Sequence, residues 1–276
     1  MRNQMIFGFN AYEKPVEDYF SYALEHNMRH VEIDLIKDHS APQTFSEKRI
    51  RKIRAFCEAN AIAVSLHVPY TLNLAERIGF LRKSNVAFFK KCLAVAHQLN
   101  ATHVTCHLGK FSGIVSWPWL RTQMLDRVIL SLRDILACCE EWHIPLALEN
   151  AVSIIQGADQ HFLGDSVQDF TYIFSQLDSP WLKICLDIGH ANTNDGALAF
   201  MDAFSNKIIN VHFHDNNGKY DDHQTIGDGT VSWEAIMQKF GEINYQGPYI
   251  SECFQTQPHL AAEQFLNLMQ QQNPQS

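Results

Sequence analysis

Between Asn210 and Trp233 the chain reads Asn-Val-His-Phe-His-Asp-Asn-Asn-Gly-Lys-Tyr-Asp-Asp-His-Gln-Thr-Ile-Gly-Asp-Gly-Thr-Val-Ser-Trp. His212, His214, Asp215, Asp221, Asp222 and His223 fall within this one stretch. Imidazoles and carboxylates together are the ligands of borderline divalent metals such as zinc, manganese and iron. Asn216, Asn217, Gly218, Gly227 and Gly229 mark a loop with room for backbone turns. The stretch starts as an apolar strand at Ile208 and passes straight into this polar chemistry.

The same change from apolar to polar recurs along the chain. His67 closes Ser-Leu-His, His107 closes Thr-Cys-His, and Glu149 closes Leu-Ala-Leu-Glu. Asp187 ends Cys-Leu-Asp, with His190 three residues on, and Glu252 ends Tyr-Ile-Ser-Glu. A charged group at the end of an apolar strand is costly unless it is paired or metal-bound. Singly, each has a structural reading, such as a satisfied core histidine, a helix cap at His190, or ion pairs from Glu149 and Glu252 to Lys110 or Lys219. Six consecutive strands ending this way point to one shared site.

Those residues need a frame that brings strand ends together. Strands are expected at Ile6–Phe9, His30–Asp34, Ala63–His67, His103–His107, Pro145–Glu149, Leu182–Asp187, Ile208–His212 and Pro248–Glu252. Amphipathic helices fit between them, at Val16–Glu25, Ser46–Asn60, Phe80–Leu99, Trp119–Trp142, Val167–Leu177, Ala197–Ser205, Trp233–Phe240 and Pro258–Met269. Strands alternating with helices pair in parallel, and eight such units predict an α/β fold, the (β/α)8 TIM barrel, as one domain over residues 1–276. An open doubly wound sheet is the alternative, but no G-x-G-x-x-G follows the first strand and no Walker sequence occurs. In a barrel the C-terminal strand ends share one face, where catalysis is found.

Composition narrows the classes. The 276 residues are 46% hydrophobic, with 18 Phe and a net charge of -8. That charge disfavours nonspecific binding to nucleic acid or an anionic membrane surface. No apolar run approaches the roughly 20 residues of a membrane span, and the N-terminus lacks a signal-peptide pattern. Seven cysteines in a chain of this size suggest reduced thiols and a cytoplasmic location. Cys106, Cys185 and Cys253 stand beside candidate ligands, and strand alternation is expected to turn them to the core.

The order of motifs resembles the xylose isomerase-like TIM barrel superfamily, which includes sugar phosphate isomerases/epimerases and AP endonuclease family 2. The most specific piece is His-x-His-Asp-Asn-Asn-Gly followed by Asp-x-His-x-x-x-Gly-x-Gly. In the epimerase branch, the resemblance implies one divalent ion held by Glu149, Asp187, His212 and Glu252. In the endonuclease IV branch, it implies three zinc ions held by those four together with His67, His107, His190, Asp221 and His223. All nine positions are filled. Three departures favour the epimerase branch. Asp222 stands where the endonucleases usually carry Arg, residues 151–157 replace a Gly-Gln-Gly segment, and Asp187-Ile-Gly-His190 replaces Asp-Thr-Cys-His. Early loops also lack a basic and aromatic set for gripping a bent duplex.

Two chemistries follow. In the first, a sugar or sugar phosphate isomerase/epimerase, a divalent metal (zinc, manganese or similar) stabilises an enediolate while Glu149 and Glu252 remove and return a proton beside the carbonyl. Lys110, Asn150, His214 and Lys219 are expected substrate contacts, on position. In the second, several zinc ions hydrolyse a phosphodiester. A barrel that binds a carbohydrate without turnover is the third reading. The expected partner is a small carbohydrate rather than nucleic acid or membrane, and the oligomeric state is open.

Overall fold

The computed structural model describes residues 5–112, 118–153 and 160–272. Eight strands close a parallel barrel in the order β1-β10-β9-β8-β6-β4-β3-β2. They are β1 Ile6–Ala11, β2 His30–Asp34, β3 Ala63–His67, β4 Val104–Cys106, β6 Leu146–Glu149, β8 Leu182–Asp187, β9 Ile208–Phe213 and β10 Pro248–Ser251. A short antiparallel pair, β5 Lys110–Ser112 with β7 Gln160–Phe162, lies outside the barrel sheet. The closed order is the (β/α)8 architecture, and it replaces the open-sheet alternative.

Register brings the strand ends level. Asp34 pairs with His67, His67 with Thr105, and Asp187 with His212. Alternation explains why these strands are largely buried and yet partly polar. On β2 every residue is buried. Glu32 turns inward to bond Ser65, Thr105 and Asn210, while Val31 and Ile33 join the apolar core. The lumen therefore holds stacked polar layers below the mouth, and the main apolar core lies between strands and helices.

The helices match the expected series, with boundary shifts of a few residues. They are α1 Phe20–Glu25, α2 Glu47–Asn60, α3 Gly79–Leu99, α4 Pro118–Trp142, α5 Val167–Gln176, α7 Ala197–Phe204, α8 Trp233–Glu242 and α9 Pro258–Gln272. Ser46 caps α2 by accepting the Arg49 N–H at 3.3 Å, and Ile50, Ile53 and Cys57 form its buried stripe. One further helix, α6 Ile188–Asn192, follows β8 directly. It was not expected, because five residues are too few to show a helical period. Strands β5 and β7 escaped for the same reason. Part of the 151–157 segment lies outside the described residues, as does most of the C-terminal Gln-Gln-Gln-Asn-Pro-Gln-Ser, a composition that predicts a frayed tail. No helix among the described residues is long and apolar enough to cross a membrane.

Candidate metal centre

Glu149 ends β6 fully buried, and four histidines close on it. Its Oε2 is 2.8 Å from His67 Nε2 and 3.2 Å from His107 Nε2. Its Oε1 is 3.3 Å from His212 Nδ1 and 3.5 Å from His190 Nδ1. Glu252 follows β10 and places Oε1 3.2 Å from the same His212 Nδ1. Asp187 ends β8; its Oδ1 accepts the His190 N–H at 2.7 Å, capping α6. A second knot lies alongside. Asp221 Oδ2 stands 3.2 Å from His190 Nε2 and 3.1 Å from His223 Nε2, and its Oδ1 is 3.4 Å from His214 Nε2.

Backbone carbonyls orient most of these rings. Nδ1 of His67 donates to Val68 O at 2.9 Å, Nδ1 of His190 to Asn150 O at 2.9 Å, and Nδ1 of His223 to Glu252 O at 2.7 Å. A proton fixed on Nδ1 leaves the Nε2 lone pair facing the cluster, which is how protein scaffolds prepare an imidazole for metal.

The loop after β9 is held by Asp215, which the sequence grouped with the chemical residues. Its carboxylate accepts N–H groups from Asn216, Gly227 and Val231 and the Trp233 indole N–H, at 2.8–3.1 Å. Those four donors use the carboxylate up, so Asp215 shapes the loop that carries Asp221 and His223. Gly189 is required for a steric reason, since a Cβ there would strike the His214 ring.

The charges are strongly coupled. Burial opposes ionisation of Glu149, yet His107, His212 and His67 hold its carboxyl well below the usual carboxylate range. Burial likewise disfavours charge on His67, but Glu149, Asp34 and Glu32 outweigh it and lift the imidazole to about 10. His223 rises to about 9 against its own burial, chiefly through Asp221. His107 goes the other way, pushed by burial to about 4.

A divalent ion fits this set. Asp187 Oδ2, His212 Nδ1 and His214 Nε2 are buried and lack any hydrogen-bond partner, although buried polar atoms are ordinarily satisfied. Ligand atoms of His190, His214, Asp221 and His223 lie within 4.8 Å of one another, as do those of His67, Glu149 and His212, and of Glu149, Asp187 and His190. The donors are nitrogen and oxygen, matching zinc or manganese. All nine positions named from the resemblance are thus brought to one mouth.

Three of the four expected substrate contacts stand elsewhere or are occupied. Lys110 opens β5 with Nζ 5.9 Å from the Phe162 ring centre, and Lys219 is exposed on the loop; neither lines the cavity. Both amide ends of Asn150 are bonded to the Asp187 backbone. His214 is buried among the knot residues, with Nε2 3.2 Å from Asp187 Oδ1. Cys106 and Cys253 are buried as expected, and Cys253 also touches the cavity. Cys185 corrects the alternation reading. It lies two residues before Asp187, shares its face, and meets Asn210 Nδ2 at 3.4 Å inside the lumen.

Several residues went unread. Asn10, Asp34, Tyr70 and Phe254 line the mouth, and Phe254 stacks on His223 at 4.1 Å and 9°. Asp34 ends β2 as the others end theirs, so the same signal was present there. Phe254 lies in a loop without a pattern.

The chain matches the xylose isomerase-like TIM barrel family over residues 20–272, and it belongs to that family. It is 30% identical over 206 residues to MJ1311 of Methanocaldococcus jannaschii, covering 73% of this chain and 68% of that protein. A probable endonuclease 4 of Carboxydothermus hydrogenoformans is 26% identical over 210 residues, 70% of each chain. The crystal structure of a D-tagatose 3-epimerase-like protein superposes with a TM-score of 0.84 at 26% identity, covering 98% of this chain and 99% of the other.

Proposed function

We propose that this protein is a divalent-metal-dependent isomerase or epimerase of an uncharged polyhydroxy ketone. One observation carries the reading. Glu149 and Glu252, from strands separated in the barrel by β8 and β9, approach the same His212 nitrogen and both line one cavity of about 470 Å³. Two carboxylates converging on one pocket suit a reaction in which one group takes a proton and the other returns it.

None of the described residues lining this cavity is Lys or Arg, and residues 113–117 and 154–159 contain neither. A phosphate is ordinarily gripped by such cations, so the expected substrate narrows from sugar or sugar phosphate to the neutral sugar. Tyr70, Phe254 and Phe162 give the outer cavity apolar faces suited to the C–H faces of a sugar ring.

A bound divalent ion would supply positive charge beside the carbonyl and hydroxyl oxygens as negative charge develops on them. Glu149 is kept ionised, and so able to accept a proton from the carbon next to the carbonyl. His67 and His107 hold its Oε2. Glu252 returns a proton, to the opposite face of the same carbon for epimerisation or to the neighbouring carbon for isomerisation. Burial of the Glu149 side shields the reacting carbon from water.

The test is metal-dependent exchange of the substrate C–H with solvent deuterium across a panel of ketoses and their phosphates. Exchange with free ketoses, lost after chelation, is expected. Exchange confined to the phosphates would reject the neutral-substrate reading.

The second reading is endonuclease-like hydrolysis by several metal ions. The knot of His190, His214, Asp221 and His223 favours it, since an epimerase needs only four ligands. Against it stand the absence of Lys and Arg among the described residues lining the cavity and the exposed Asp222. Elemental analysis would count the ions, and efficient metal-dependent incision of an abasic duplex would establish this reading instead. We expect no incision.

A further inference from the structure

His212 is oriented unlike the other candidate ligands. His67, His190 and His223 give Nδ1 to a backbone carbonyl and present Nε2. His212 presents Nδ1, the atom near Glu149 and Glu252, and that atom has no hydrogen-bond partner. Its Nε2 lies 2.6 Å from Oε1 of Glu32, a fully buried carboxylate from the opposite part of the barrel.

Glu32 is itself locked. Its Oε2 accepts from Ser65 Oγ at 2.8 Å, Thr105 Oγ1 at 3.0 Å and Asn210 Nδ2 at 3.2 Å. Donors from β3, β4 and β9 therefore converge on that oxygen, leaving the other for His212. Asn210 Nδ2 also lies 3.1 Å from His212 Nε2, but the carboxylate is nearer and negative, and Asn210 has Glu32 Oε2 as its acceptor. The proton of a neutral His212 accordingly belongs on Nε2, with the Nδ1 lone pair aimed at the site. A carboxylate partner also makes an imidazole a stronger donor than a carbonyl partner does.

We infer that Glu32 is a positioning residue: it fixes the tautomer of His212 and makes the metal position shared by His212, Glu149, Asp187 and Glu252 the tighter-binding part of the cluster. The inference rests on the metal-dependent reading above. It adds a residue that touches neither metal nor substrate, and a ranking of positions that ligand identity alone does not give.

The substitution Glu32→Gln keeps the shape and tests the charge. Asn210 Nδ2 still requires an acceptor, so the glutamine oxygen takes that side and its NH2 faces His212 Nε2. The imidazole proton is then driven onto Nδ1, the atom that must ligate. The experiment titrates chelator-treated protein with cobalt(II), read by absorption and by competition with a chelator. Alongside it, two-bond nitrogen–proton NMR of the metal-free protein, at a pH high enough to leave His212 neutral, reads the His212 tautomer. Glu32→Gln should weaken the tightest cobalt position by roughly 10–100-fold and move the His212 proton toward Nδ1. Glu32→Asp, which keeps the charge on a shorter arm, should recover part of the affinity.

Unchanged cobalt affinity and tautomer in folded Glu32→Gln, with only a lower melting temperature, would overturn the inference by making Glu32 merely structural. If Glu32→Gln does not fold, Thr105→Val decides. It removes one of the three donors to Oε2, and several-fold weaker cobalt binding supports the inference while unchanged binding rejects it. Failure of the wild-type protein to bind cobalt at all would instead reject the metal-dependent reading itself.

Discussion

Asn150 and Asp187 are bonded to each other twice through Asn150's side chain. Asn150 Nδ2 donates to the Asp187 carbonyl, and the Asp187 N–H donates to Asn150 Oδ1, both at 2.8 Å. The amide acts as a missing piece of ladder between the ends of β6 and β8, and it sets the backbone from which the Asp187 carboxylate reaches the site. Asn150→Ala would leave a buried N–H and a buried carbonyl unpaired, at about 1–3 kcal/mol each. We expect a clearly lower melting temperature together with weaker metal binding. If Asn150 instead serves only the substrate, its removal will raise KM and leave the melting curve where it was.

Gly189 and His214 give a steric prediction. A methyl group on Gly189 collides with the His214 ring, which is buried and cannot swing into solvent. Gly189→Ala should cost roughly 1–3 kcal/mol, the usual penalty of overpacking, and should displace His214 from Asp187 and Asp221. Chemical denaturation and metal stoichiometry measure the two effects. Wild-type stability in the variant would mean that the ring has room to move.

Acid sensitivity follows from His30. Its Nε2 bonds Ser65 Oγ at 2.8 Å, and burial, with His103 beside it, depresses its pKa to about 3. An unfolded histidine titrates near 6.5. Between those values the unfolded chain binds the extra proton, so stability falls as pH drops from about 6.5 toward 3. In urea melts of chelator-treated protein, His30→Gln should flatten that part of the pH dependence. An equally steep profile in the variant would show that His30 is not its source.

The thiols offer a count. Cys57, Cys92, Cys106, Cys139, Cys185 and Cys253 are buried, and burial pushes their pKa values upward, to about 11 for Cys57 and about 12 for Cys92. Cys138 is only half-buried. At pH 8 a thiol reagent should label one site rapidly in the native protein and all seven after denaturation. Cys138→Ser should abolish the fast phase, and a fast phase that survives would place an accessible thiol elsewhere.

The alternation of apolar strands with amphipathic helices determined the barrel, because periodicity is a local property that each segment displays by itself. The polar residue closing each strand determined which face carries the candidate site: parallel strands in a closed sheet bring their C-terminal ends together wherever the exact register falls. His67, His107, Glu149, Asp187, His212 and Glu252 were legible on that ground. Asp34 carried the same mark at the end of β2.

What a polar atom bonds to was decided only by the tertiary structure. Glu32 is an ordinary alternating residue of a strand until closure brings His212 against it. Asn150 reads as a free amide until Asp187 takes both its ends, and Asp215 reads as a ligand until four donors surround it. Lys110 and Lys219 were near the site in sequence and stand outside its cavity in space. Hydrogen-bond partners are set by contacts between distant strands and by the path of loops, and neither leaves a periodic trace in the chain.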